Sequence, residues 1–272
     1  MKYDYEVVEN LLVGFLQNET RRIGITKTVI GLSGGIDSAV SAYLTAKALG
    51  KENLLCIMLP YKTSSRESIT DAELVIKDLG VRSKKVEITD MVDAYIAKLK
   101  DDNISNVRKG NLMARMRMIV LYDESAKENA LVIGTGNKTE ILLGYSTLFG
   151  DSACALNPLG DLYKTQIFDL AKHLNIPKPL IDKKPSADLW EGQTDEQEMG
   201  ITYAEVDKYL FEKVDERKSH EELLLMGYSK EYMDRIDRMI YRNQFKRVPP
   251  IIAKVSNRTV NVDFRYNRDW NT

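Results

Sequence analysis

The chain is poor in cysteine, histidine and net charge, and each scarcity excludes something. Two cysteines, Cys56 and Cys154, in 272 residues exclude a disulfide scaffold and form no metal-ligand pair. Against 40 acidic side chains stand 39 basic ones, a net charge of −1. That balance argues against binding nucleic acid by broad neutralisation of phosphates and leaves only a local basic groove open. No apolar run approaches the roughly 18 to 20 residues needed to span a bilayer. The start, Met1-Lys2-Tyr3-Asp4-Tyr5-Glu6, is acidic and lacks the plan of a signal peptide. A cytoplasmic location without membrane contact is the expectation. Internal repeats, low-complexity segments and Gly/Ser/Pro-rich linkers are also missing, so residues 1–272 read as one domain. His173 and His220 have no partner pattern and are assigned no chemistry.

What is present is an ordinary globular composition, 43% hydrophobic and 29% charged. An amphipathic helix is predicted near 4–21, with Val8, Leu11, Leu12, Phe15 and Leu16 on one face. Short apolar strands follow at Thr28–Leu32, Leu54–Leu59, Lys85–Ile88 and Ala130–Ile133. Between them lie helices from Asp37 to Leu49, near 67–79 and near 90–99, then a polar surface crossing over 100–110. A long helix from about Asn111 to Lys127 carries Leu112, Met116, Ile119 and Val120 as its core-facing stripe. Strands alternating with helices, and apolar throughout, indicate an α/β fold: a doubly wound parallel sheet flanked by helices. Ligands of such sheets sit beyond the carboxyl ends of the strands. The turns after Leu32, Leu59 and Ile133 therefore share one functional rim.

Gly31-Leu32-Ser33-Gly34-Gly35-Ile36-Asp37-Ser38 joins the first strand to its helix. Paired glycines permit a tight turn that brings amides close to an anion, and the helix N-terminus adds free N–H groups. Lacking Lys-Ser/Thr at the required spacing, the segment is no Walker A loop, and it does not fit G-x-G-x-x-G. Asp37 has two readings, a helix cap or a Mg²⁺ ligand beside bound phosphate. The flanking Ser33 and Ser38 favour the second.

This S-G-G-x-D-S segment resembles the signature of the PP-loop ATP pyrophosphatases, which cleave ATP between its α- and β-phosphates to adenylate an acceptor oxygen. Four further segments narrow the resemblance: Gly110–Met118, Gly134-Thr135-Gly136-Asn137-Lys138-Thr139-Glu140, Asn157–Thr165 and Lys183–Trp190. Together, in order over about residues 27–250, they look like the NAD synthetase family. The resemblance implies an adenine-nucleotide alpha-hydrolase-like (Rossmann-like) fold. It also implies amidation of nicotinic acid adenine dinucleotide (deamido-NAD) by ammonia, through an acyl-adenylate, with release of AMP and pyrophosphate. Residues 31–38 would hold the ATP phosphates, with Thr135, Lys164 and Ser186 also on ATP. Asp37 and Glu140 would share Mg²⁺, and Asp37 and Lys164 would serve catalysis. Arg115 would reach the dinucleotide from the partner subunit of a homodimer.

Many family members carry Lys-Tyr/Phe-Gly-Asp-Gly-Gly-x-Asp where this chain reads Leu148-Phe149-Gly150-Asp151-Ser152-Ala153-Cys154-Ala155, and His-Lys where it reads Phe245-Lys246. The lysine, aspartate and histidine lost at Leu148, Ala155 and Phe245 all fall on the dinucleotide side, leaving Asp151 and Lys246 as its candidate contacts. The ATP-binding half fills the chain and leaves no length for a glutaminase domain, so free ammonia, or a separate glutaminase, would supply the nitrogen. Competing readings are a PP-loop ligase for another carboxylate, a tRNA-modifying relative and a non-catalytic nucleotide sensor. The stretch 191–228, with Gly192-Gln193-Thr194-Asp195-Glu196, is expected to be a mobile loop that closes over the site. A helix is expected near 230–243, and the tail 251–272 is left undecided between extended and disordered.

Overall fold

A computed structural model describes residues 3–263 except 102, 187, 189–193, 249 and 261. Helix α1 (Tyr5–Ile23) is capped by Asp4, whose carboxylate accepts from the amides of Glu6 and Val7. Strand β1 (Thr28–Gly31) leads into α2 (Ile36–Leu49), and β2 (Leu54–Met58) into α3 (Arg66–Leu79). Then come β3 (Arg82–Lys85), α4 (Thr89–Leu99), α5 (Asn106–Glu128) and β4 (Leu131–Ile133). The four strands pair in parallel in the order β3-β2-β1-β4. Strand order therefore reverses between β1 and β4, where a crevice opens at the carboxyl ends.

Alternation sorts the strand residues onto two faces. Ile30, Leu54, Cys56 and Ile133 join α1 and α2 in one apolar cluster. Val29, Leu55, Ile57 and Val132 join α4 and α5 in the other. Each fully buried branched side chain contributes about 1.5–3 kcal/mol. Burial pushes the Cys56 thiol up to about 12, so it is an inert core residue.

Past β4 the chain is helical: α6 (Lys138–Leu143), α7 (Lys164–His173), α8 (Lys178–Asp182), α9 (Asp195–Met199), α10 (Tyr203–Leu210), α11 (His220–Leu225) and α12 (Lys230–Arg242). A π turn over Phe211–Asp215 extends α10. No helix among the described residues is long and apolar enough to cross a membrane.

Several expectations need correction. The third strand sits three residues earlier than Lys85–Ile88, because an edge strand is placed by backbone pairing with its one neighbour and not by its apolar residues. The amides of Val86 and Ile88 still donate to Met58 and Pro60, so the predicted stretch runs on alongside β2. The polar crossing at 100–110 ends in helix, because Ser105 accepts from Arg108 N and starts α5 at Asn106. Leu11 and Ile119 belong to predicted apolar faces but are exposed. Residues 195–228 are helices with their own apolar cluster, Val206, Tyr209, Leu210, Leu223, Met233 and Ile236 among its members; they are not a loop. Residues 191–193 of that expectation lie outside the described residues. The described part of the tail forms no helix.

Candidate functional site

Between β1 and α2 the backbone turns at Gly34, whose φ of 79° favours glycine. A Cβ there would meet the Ser68 carbonyl oxygen at 2.0 Å, so α3 leaves no room for a side chain. Ser33 and Ser38 hold the loop: their hydroxyls are 3.1 Å apart, Ser38 Oγ donates to Gly35 O, and Ser33 Oγ accepts from Gly35 N. From α8's far end, Lys183 Nζ donates to Ser68 Oγ at 3.1 Å and to Asp71 at 2.8 Å, with Gly34 O at 3.5 Å. It pins the phosphate loop to α3.

Lys164, the first residue of α7, is 3% exposed and its ammonium donates to Asp37. Glu140 Oε1 lies 3.7 Å from the same ammonium. Burial disfavours the charged lysine, but Asp37 and Glu140 outweigh it and hold its pKa above the ordinary lysine value. Burial, and next the Asp37 charge, push the Glu140 carboxyl up to about 8, against the pull of Lys164. A cation at a helix N-terminus opposes the dipole; here these carboxylates compensate for it.

Asn137 fastens the pair. Its Nδ2 donates to Asp37 Oδ1 at 3.0 Å, while its Oδ1 accepts from Glu140 N at 3.0 Å. Glu140 Oε2 accepts from Asn137 N at 3.2 Å, completing a capping box on α6. So Glu140 is both a first-turn helix acid and a site residue, one oxygen for each. Tyr203, from α10, places its ring 5.3 Å from the Lys164 ammonium and donates its hydroxyl to Asp195 at 3.0 Å.

Asp37, Glu140 and Lys164 line a cleft of about 890 Å³ that crosses the carboxyl ends of β1, β2 and β4. Of the predicted ATP residues, Gly31, Leu32, Ser33, Gly35, Ile36, Asp37, Ser38, Thr135, Lys164 and Ser186 line it. Gly34 instead packs on Ser68. Ser186 Oγ accepts from Asp188 N at 3.0 Å. Asp151 and Lys246 line it as well. Lys246 Nζ donates to the carbonyls of Gly144 and Ser146, 2.6 Å each, so it also holds the loop that carries Asp151. Arg115 is exposed, its Nε donating to Leu148 O at 3.3 Å, and does not enter its own cleft. Arg117 does: it lines the cleft and donates to Leu59 O at 2.9 Å.

Sequence reasoning did not single out Asn137, Lys183, Tyr203 or Arg117 as site residues. The capping-box pattern Asn137-x-x-Glu140 was a signal for the first, whereas the others depend on how distant elements pack.

A parallel sheet with a glycine-serine loop at its switch point, a carboxylate at the helix start and a buried lysine facing it define a nucleotide-binding α/β protein of the PP-loop class. A profile of the NAD synthase family matches residues 8–250, and the chain belongs to that family. The NH(3)-dependent NAD(+) synthetase of Chlorobaculum tepidum is 54% identical over 270 residues, covering 99% of this chain and 97% of that one. The enzyme of the same name from Fusobacterium nucleatum is 57% identical over 248 residues, 91% and 95% of the two chains. Among solved structures, NMN synthetase from Francisella tularensis superposes with a TM-score of 0.83 at 36% identity, over 93% of this chain and 99% of that one. The NH3-dependent NAD synthetase from Campylobacter jejuni, in complex with nitrate, gives 0.78 at 35%, over 93% and 100%.

Proposed function

We propose that this chain amidates the nicotinate carboxylate of deamido-NAD with ammonia, using ATP and Mg²⁺, to give NAD, AMP and pyrophosphate. One observation carries the reading: the buried Lys164 ammonium, held by Asp37 where the loop enters α2. A carboxylate at neutral pH resists attack by ammonia, and adenylation gives it a leaving group. The nicotinate oxygen attacks the α-phosphate while the loop amides, the serine hydroxyls and Lys164 stabilise charge on the departing pyrophosphate. Ammonia then attacks the acyl-adenylate and AMP leaves. No side chain is assigned as the base for ammonium, so the rate should climb as pH approaches the ammonium pKa.

The donor set fits Mg²⁺. The carboxyl groups of Asp37 and Glu140 both face the Lys164 ammonium. Among the described residues no group of three His, Cys, Asp or Glu could hold a metal alone. Asp37 and Glu140 would therefore share Mg²⁺ with phosphate and water oxygens, as this hard ion prefers; when bound it neutralises phosphate charge. Exposed Val7, Leu11, Val107, Ile119 and Tyr122 on α1 and α5 support a homodimer, with Arg115 free of its own cleft to serve the partner's. A cytoplasmic location, and ammonia from solution or a separate glutaminase, complete the reading. The relatives' names favour neither a tRNA-modifying enzyme nor a nucleotide sensor.

The test is pyrophosphate release with MgATP, ammonium and deamido-NAD, omitting each in turn. Release that needs the dinucleotide, with NAD formed when ammonium is present, supports the proposal. A second reading comes from the Francisella relative, named an NMN synthetase, and from Leu148, Ala155 and Phe245 on the dinucleotide side. An arm with nicotinic acid mononucleotide decides it: a higher kcat/KM there would make the mononucleotide the substrate.

A further inference from the structure

Helix α10 puts Tyr203 against the Lys164 ammonium, and farther along, α10 and its π turn touch both sides of the charged corner. Asp207 is fully buried. Its Oδ1 accepts from the Thr139 hydroxyl at 2.5 Å and its Oδ2 from the Thr165 amide at 2.8 Å. The Lys164 amide in turn donates to Thr139 Oγ1 at 3.0 Å. The first amides of a helix have no partner within it, and here the first two of α7 are satisfied by Asp207, one directly and one through Thr139. Asp215, at the end of the π turn, accepts from the Lys138 ammonium at 2.7 Å and from the Tyr163 hydroxyl. Eight residues of regular α-helix would rotate Asp215 by roughly 80° from Asp207. The wider π turn takes up that excess, and both carboxylates reach the start of α6 and of α7. Lys138 and Thr139 precede Glu140, while Tyr163 and Thr165 flank Lys164.

We infer that α10 with its π turn is a brace for the reacting corner, and that Asp207 is a positioning residue that sets where Lys164 and Glu140 stand. It rests on the reading of this corner as the amidation site. Asp207 is tied to this corner by hydrogen bonds through Thr139 and the Thr165 amide, and its charge also feels the Lys164 ammonium. A misplacement of about 1 Å at a reacting centre can cost about 100-fold in rate.

The experiment compares the full-length wild type with Asp207→Ala, Asp207→Asn and, as a control, Asp237→Asn. Asp237, on α12, accepts from Tyr209 and Lys213 and ties α12 to α10 and its π turn. Its loss should lower Tm and leave kcat near wild type. Asp207→Ala should lower kcat about 100-fold while the KM values for MgATP and the dinucleotide move less than about threefold. Asp207→Asn, which keeps the shape and one acceptor, should recover most of that loss. If the alanine variant does not fold, the amide exchange of Asp207→Asn carries the test. Amide exchange over residues 163–168, read without substrates, should quicken in both Asp207 variants and not in Asp237→Asn. A kcat loss no greater than the control's, or unchanged exchange over 163–168, would overturn the brace. An inactive wild type with the expected exchange pattern would sink the amidation reading and leave the brace standing.

Discussion

The sheet and the C-terminal helices serve the same corner in different ways. Sheet and flanking helices bury two large apolar clusters and deliver the phosphate loop from strand ends whose register is locked by parallel pairing. Around α10 to α12, a third cluster is joined to the rest through Leu143 and Tyr163. That cluster offers few ligand-facing groups; its carboxylates, Asp207 and Asp215, turn inward onto the helix starts that carry Glu140 and Lys164. One region supplies the glycine-serine loop, and the other sets the carboxylates and ammonium beside it. The division suits phosphoryl chemistry, where positioning and electrostatics supply most of the rate.

Lys164→Met is the severest way to break the corner. It removes the cation and leaves the Asp37 carboxylate without its charge partner, so pyrophosphate release should fall at least 10²–10³-fold, read with saturating MgATP. Next come matched truncations in the two regions, Ile57→Ala and Ile236→Ala, both at fully buried positions. Each should cost about 2–5 kcal/mol in urea unfolding. A transition that splits into two phases for Ile236→Ala only would show the helical region to be a separate cooperative unit.

Gly34→Ala should cost about 1–3 kcal/mol from positive φ alone and weaken MgATP binding, measured by calorimetry, because the Cβ strikes Ser68. A smaller effect is expected for Glu140→Gln, which keeps an oxygen for Asn137 N. With a folded-state pKa near 8, above the usual carboxylate value, the protonated acid's contribution to stability is complete below about pH 4.5 and is lost as pH rises through 8. The variant should therefore gain Tm over wild type at pH 8.5 and differ little at pH 5. Leu225→Ser, at a side chain 89% exposed, should shift stability by no more than about 0.5 kcal/mol.

Much of the sheet region was legible because its signals are local. Gly34-Gly35 beside Ser33 and Ser38 is readable from adjacent residues, and β-branched runs such as Thr28–Ile30 announce buried strands. Helices α9 to α11 were misread as a loop because α9 and α11 are only five and six residues long; the apolar residues of this region become a core only when Met233 and Ile236 from α12 meet Val206 and Tyr209 from α10. Glu140 and Lys164 entered the reading through the family resemblance, since neither sequence position shows burial or a partner.

By itself the sequence determined the parallel α/β class, the anion-binding turn and the order of the motifs, because backbone conformation and strand burial depend on neighbouring residues. Tertiary structure alone decided which of Arg115 and Arg117 enters the cleft, that Lys183 pins the loop, and that Asp207 caps a helix 42 residues away. Burial and charge pairing arise between elements distant in the chain, and no local pattern encodes them.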